Sequence, residues 1–260
     1  MPLRVVTLDE LTIDDDAALK KIGLYRRLKR HLRDTSYRFR VADPEGAVSW
    51  DRALFLNLTF WTPGDGADVL CSDHIAADVV AHVGWHHVVQ ARLTPAGATP
   101  TAAALFFAEA IASAFDLYLV GRLLENDPDS DFITSQVPIM ADVAQQAGLP
   151  EGEFEALLQG IHQKPEQSFE DLRALLFDVT LALYRCDGVG DALAALDRVA
   201  SHRFAPLLHH FELSNWVLYA RAHARPDAAQ DAAVMASDDE LRRAPCSLDW
   251  LDERWVPLAD

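Results

Sequence analysis

Between Pro100 and Gly121 the chain reads PTAAALFFAEAIASAFDLYLVG, with only two charged residues, Glu109 and Asp116. A segment this apolar has two homes, a membrane or a protein interior. Two carboxylates in mid-span disfavour the membrane. Thr99 as a cap and Pro100 in the first turn predict a helix running to about Leu124. Glu109 and Asp116 are seven apart and share one face, with Ser113 at the i+4 position from Glu109. Burying an unpaired carboxylate costs several kcal/mol or keeps the group protonated. The helix therefore requires compensating partners, and a metal, histidines or arginines would serve.

The preceding stretch, DHIAADVVAHVGWHH (73–87), supplies candidates. Ser72 is placed to cap a helix reaching about Arg92. On that helix His74, Asp78, His82 and His86 follow one another at steps of four. Each step rotates the position by about 40°, so neighbouring members stack one turn apart. The i, i+4 spacing of His82 and His86 lets two imidazoles meet one metal ion. Asp78 is either a third ligand or an outer partner that orients a ligand. Ile75, Val79, Trp85 and Val89 share this side, so the polar row lies inside an apolar sector. The stretch contains no Lys, Arg or Glu, the residues of an ordinary solvated face. His87 points elsewhere, as a surface or packing residue. A short loop joins this helix to the next, which predicts antiparallel packing with Glu109 and Asp116 level with His82 and His86.

Two later helices repeat the pattern. EDLRALLFDVTLALYR isolates Asp178 in an apolar run, and APLLHHFELSNWVLYAR carries His209 and Glu212 at i, i+3. Four helices each bring an acid or a histidine to an apolar face, which argues for a polar or metal centre inside a bundle. Familiar signatures are missing. None of the ten histidines has a Glu or Asp three residues before it, so the Glu-x-x-His of ferritin-like di-iron bundles is absent, and so is His-Glu-x-x-His.

The remaining sequence predicts a mainly α fold, a multi-helix bundle with a small β element near the N-terminus. Residues 15–33 read as a basic helix. Tyr37, Phe39 and Val41 alternate as a short strand closed by a Pro-Glu-Gly turn, and the run after Ser49 leans towards a second strand. Helices are predicted over 138–147, 151–162, 168–185, 190–200 and 204–223. We read residues 1–225 as one helical domain, with the N-terminal helix and β element in 1–70 and the bundle in 72–225. Residues 226–260 form an acidic tail packed on the body, with short segments near Ser237 and Ser247 and Trp250, Leu251 and Trp255 as anchors.

Half of the 260 residues are hydrophobic, enough for a sizeable core. The formal net charge of −17 repels phosphate backbones and anionic lipid, so neither nucleic acid nor membrane is an expected partner. Residues 140–160 resemble a helix-turn-helix in spacing, but the second helix opens with Glu151, Glu153 and Glu155, and a plain helical hairpin explains it. Lys20, Lys21, Arg26, Arg27, Lys29, Arg30 and Arg33 form the one basic patch. Three scattered cysteines and an N-terminus without an apolar leader point to a reducing, cytoplasmic setting.

These observations lead to two expectations. The first is a metal-dependent enzyme with His82, His86 and Glu109 as ligands, and Asp78, Asp116, Asp178 and His209 as further candidates. Mixed imidazole and carboxylate donors suit iron, zinc or manganese. Non-haem iron, as a mononuclear or di-iron centre, acting as an oxidase or oxygenase on a small organic substrate is favoured over zinc hydrolysis. A homo-oligomer is compatible with this reading. The second expectation is a non-catalytic helical binding or interaction protein whose buried polar residues are structural.

Overall fold

A computed structural model describes residues 3–42, 68–70 and 72–256. The fold is mainly α, with eleven α-helices among the described residues and a small β element near the N-terminus. Strands β1 (Leu3–Thr7), β3 (Arg38–Ala42) and β4 (Asp68–Leu70) form one sheet, with β1 antiparallel to β3 and β3 parallel to β4. Strands β2 (Thr12–Asp14) and β5 (His74–Ala76) pair in parallel. The alternation at 37–41 thus belongs to a strand, whereas the Pro-Glu-Gly turn and the ambiguous run after Ser49 lie outside the described residues.

The helices are α1 (Asp16–Leu19), α2 (Gly23–Asp34), α3 (Ala77–Leu93), α4 (Ala102–Leu123), α5 (Asp131–Gln146), α6 (Glu151–Gln163), α7 (Pro165–Tyr184), α8 (Val189–Val199), α9 (His210–His223), α10 (Ala228–Arg243) and α11 (Ser247–Arg254). Several boundaries differ from those the spacing predicts. Helix α4 is capped by Thr101, whose side chain accepts from the Ala104 amide, and not by Thr99. The predicted 204–223 helix opens as a 3-10 turn at Ala205–Leu207, and α9 begins only at His210. The segment near Ser237 is part of the longer α10, capped by Asp227. The basic segment splits into α1 and α2 at Lys20–Ile22. Helix α5 begins at Asp131, where Ser130 accepts from the Ile133 amide and caps it. Helix α3 begins only at Ala77, because residues 74–76 are drawn into β5, where Ile75 is buried. Gly148 follows α5 with φ +82, the left-handed conformation that closes a helix.

Helix α4 is the axis of the fold. Eighteen of its residues are buried, on every side. A helix apolar all round is stable in water only when enclosed. It is long and apolar enough to cross a membrane, but 83% of its apolar window is buried against the rest of the protein. Aromatic contacts radiate from it. Phe115 meets Trp85 of α3, Phe107 meets Phe177 of α7, and Phe106 meets Tyr184 at the end of α7. Gly121 permits the closest approach: a Cβ there would stand 2.7 Å from the Ile161 carbonyl oxygen.

The loop joining α3 and α4 is held by Gln230 of α10. Its Oε1 accepts from the Thr101 amide at 2.7 Å, and its Nε2 donates to the Leu93 carbonyl and to Thr94 Oγ1, both at 2.9 Å. One side chain thereby ties the end of α3 to the start of α4. Among residues 227–256 the chain forms two helices, α10 and α11, with Leu251 and Trp255 buried. The basic patch is largely answered within the chain. Lys21 pairs with Asp127, Arg27 with Asp252, Lys29 with Asp16 and Arg33 with Asp9.

Arg173 of α7 is fully buried. Its guanidinium donates to both oxygens of Glu170, at 2.7 and 2.6 Å, and to Asp238 of α10 at 2.8 Å. Arg242 completes the network, bonding Asp238 Oδ2 and Asp178. Removing one member of a buried ion pair leaves the others desolvated and uncompensated. Arg173→Ala is therefore expected to lower unfolding free energy by about 3–5 kcal/mol, read from urea denaturation. A loss below about 1 kcal/mol would mean that the network is too hydrated to anchor α10.

Candidate metal centre

Helices α3 and α4 run antiparallel, since His82 faces Asp116 and His86 faces Glu109. Helical spacing puts His82 and His86 one turn apart on α3, with ring centroids 5.0 Å apart. Both rings turn towards α4 and are about four-fifths buried. Glu109 projects between them from the middle of α4 and is 6% exposed. Its two oxygens are divided between the imidazoles. Oε2 lies 3.0 Å from His86 Nε2, and Oε1 lies 3.6 Å from His82 Nε2. Ser113, one turn along α4, donates to Oε1 at 3.4 Å. On its far side, the His82 ring places Nδ1 3.0 Å from Asp116 Oδ2.

One oxygen of Glu109 and one nitrogen each from His82 and His86 lie within 4.8 Å of one another, a spacing that could hold a metal ion. The short separations have a simple geometric meaning. Two donors each about 2.1 Å from one ion stand about 3.0 Å apart at a right angle and about 3.4 Å apart at the tetrahedral angle. The Nε2-to-carboxylate separations of 3.0 and 3.6 Å, each to a different oxygen of Glu109, lie near that range.

The electrostatics are those of carboxylates and imidazoles packed out of water. Burial works against a charged His82, but the adjacent Asp116 charge, its hydrogen bond and Glu109 outweigh it and hold His82 well above the ordinary imidazole range. Burial would raise Glu109, yet hydrogen bonds and charge from His82 and His86 pull it well below the carboxylate range. Asp116 is raised, first by burial and then by the nearby Glu109 charge, despite the relief from His82. Asp78, in the first turn of α3, is raised to about 6 by burial and by repulsion from Asp116. Glu212 of α9 is exposed, yet loss of part of its hydration raises it, and it too feels the charges of Glu109 and His82.

The other residues singled out in the sequence fall in different places. Asp116 is only half-buried, with 32% of its side chain exposed, and it reaches His82 from the side away from Glu109. Asp78 stands beside the centre through charge. Asp178 is exposed and pairs with Arg242. His209 is exposed and caps α9, its Nδ1 accepting from the Glu212 amide. His74 leaves the row altogether, because it sits on β5 and pairs with Asp14 of the neighbouring strand. His87 is a packing residue between His31 and Tyr37, with its Nε2 3.1 Å from Thr35 Oγ1. Glu212, at i, i+3 from His209, meets the centre only through charge.

Compared with known proteins, the chain matches no family model, no curated protein and no solved structure.

The metal-free centre carries a testable pH signature. Between the ordinary aspartate value of about 3.9 and about 6, folded Asp78 binds protons that the unfolded chain does not. Its contribution to stability is lost as pH rises through that window. His82 acts in the same direction further up: its stability contribution is complete below the unfolded value of about 6.5 and is lost as pH rises from there through the raised folded value. Asp78→Asn removes the charged form. After discounting for solvent screening it is expected to stabilise chelator-treated protein at pH 7 by about 1 kcal/mol, or roughly 2–4 °C in melting temperature. A lower melting temperature in this variant would show that the Asp78 charge is already well compensated.

Proposed function

We propose that this protein is a metal-dependent enzyme in which His82, His86 and Glu109 hold one divalent ion, with iron the favoured metal. The observation that carries the reading is the convergence of two imidazole nitrogens and one buried carboxylate at metal-ligand spacing. Two histidines and one carboxylate leave coordination positions free, the donor set associated with non-haem iron that reacts with oxygen. Bound iron would supply oxidase or oxygenase chemistry on a small organic substrate, whereas zinc on the same ligands would supply an activated water for hydrolysis.

The chain's own residues have definable parts. Glu109 supplies the negative charge that offsets the ion, and α4 holds it in a largely water-free wall. Val83, Val89 and Phe115 are buried on the two helices that carry the ligands. Such surroundings strengthen electrostatic interactions at the centre. The imidazole of His82 must give up its proton before it ligates, so metal uptake is expected to release a proton and to weaken in acid. A mononuclear centre is preferred here to a di-iron one, because Asp116 is engaged with His82 Nδ1, while Asp178 and His209 are engaged elsewhere.

A second reading has an observation of its own. Without any ion, an imidazolium at His82 already compensates Glu109 and Asp116, as a purely structural polar network in a binding protein would.

Elemental analysis separates the two. Protein produced in medium supplemented with iron, zinc and manganese is expected to retain about one equivalent of metal. Glu109→Gln and His86→Ala should each lose most of it while keeping helical circular dichroism. The metal-loaded protein should melt above the chelator-treated protein at pH 8, with the gap closing towards pH 5. Wild-type protein that holds no metal and melts identically with and without chelator would leave the structural network as the correct reading.

A further inference from the structure

The sequence presents Asp116 and Glu109 as equivalent carboxylates, seven apart on one helix face. The structure separates their tasks. Glu109 places its two oxygens beside the Nε2 atoms of His86 and His82. Asp116 reaches the other edge of the His82 ring, with Oδ2 3.0 Å from Nδ1. Among the described residues this is the one hydrogen bond the Asp116 side chain makes, and its Oδ1 is buried without a hydrogen-bond partner. We propose that Asp116 is a positioning residue: it fixes the ring orientation and tautomer of His82 so that Nε2 is the atom presented to the metal. The inference rests on the metal-binding reading above and assigns Asp116 a part in it that is distinct from ligation.

The chemistry follows from donor and acceptor roles. A neutral imidazole has one N–H and one lone pair, and the partner of one nitrogen dictates the state of the other. A carboxylate can only accept, so the proton of neutral His82 resides on Nδ1. The lone pair is then on Nε2, on the Glu109 side of the ring. The same bond restrains rotation of the ring about its Cβ–Cγ axis, and it raises the basicity of the ligating nitrogen. Ser113 gives Glu109 a comparable restraint by donating to Oε1. Two of the three ligands are thus held by residues of α4 itself. Asp116 lies two helical turns from Glu109 on one rigid helix, so the carboxylate that ligates and the carboxylate that orients keep a constant separation.

The test uses zinc as the probe, because it is diamagnetic and accepts the same donors. In long-range proton–nitrogen NMR spectra of zinc-loaded wild-type protein, His82 is expected to show a protonated Nδ1 and a metal-bound Nε2. Asp116→Asn is nearly isosteric, but its amide can donate to Nδ1 as well as accept from it. The variant should bind zinc about 10–100-fold more weakly. The His82 ring should lose its single tautomer, and the His86 resonances should stay in place. A merely structural role for Asp116 would move stability without this change confined to the His82 nitrogens.

Coordination of wild-type zinc through His82 Nδ1 would overturn the proposal, whatever the variant does. So would an Asp116→Asn protein that binds zinc within twofold of wild type and keeps the Nδ1 proton. Should wild-type protein bind no zinc, the metal-binding reading falls and Asp116 loses this role with it. Zinc binding by wild type with an indifferent Asp116 variant would fell the positioning role alone.

Discussion

Glu109 is a carboxylate in the middle of a helix that water hardly reaches, and the surrounding architecture answers that one placement. An unpaired charge at such a depth would cost several kcal/mol. The two imidazoles of α3 remove the cost, but only if α3 lies antiparallel to α4 with His82 and His86 level with Glu109 and Asp116. That alignment depends in turn on the short connection between the helices and on Gln230, which bonds Leu93 and Thr94 on one side and Thr101 on the other.

The same requirement explains why so much of the chain surrounds α4. Helices α3 and α7 flank it through Trp85, Phe177 and Tyr184, and the C-terminal segment closes a further side through Trp255. Arg173 shows the arrangement at a second place. It is buried over the Phe107 ring and is neutralised by Glu170 and Asp238, so α10 is bound to the core by charge as well as by apolar contact. These two buried polar clusters differ in character. The Arg173 cluster pairs a permanent cation with carboxylates and fills its hydrogen bonds. The His82 cluster pairs groups whose protonation can change, and in the reading proposed above one of those protons gives way to a metal ion.

Its imbalance of charge favours such an exchange. Glu109, Asp116, Asp78 and Glu212 all contribute to one electrostatic neighbourhood, and Asp78, Asp116 and Glu212 are all raised above their ordinary values. Protons are one way to relieve that repulsion and a divalent cation is another. The local excess of carboxylate is consistent with the acidic character of the whole chain, and Glu109 is the member that solvent screens least.

Much of this arrangement was legible in the residues. The isolation of Glu109 in an apolar run, the four-residue spacing of His82 and His86 and the short loop between the two helices point to these residues meeting, because periodicity and burial cost act locally. The helical class and the strand at Phe39 follow from the same local rules. Other features required the tertiary structure. His74 has the same spacing as His82, yet Ile75 and its neighbours pair with β2, and a strand contact sixty residues away in sequence takes it off the helix. Asp178 looks like a buried acid until Arg242 meets it at an exposed edge. Asp116 and Glu109 are alike in sequence, and only the orientation of one imidazole ring, set by packing between α3 and α4, makes one the partner of Nε2 and the other the partner of Nδ1. Spacing along a helix determines which residues share a face, whereas the task of each residue depends on what the rest of the chain packs against that face.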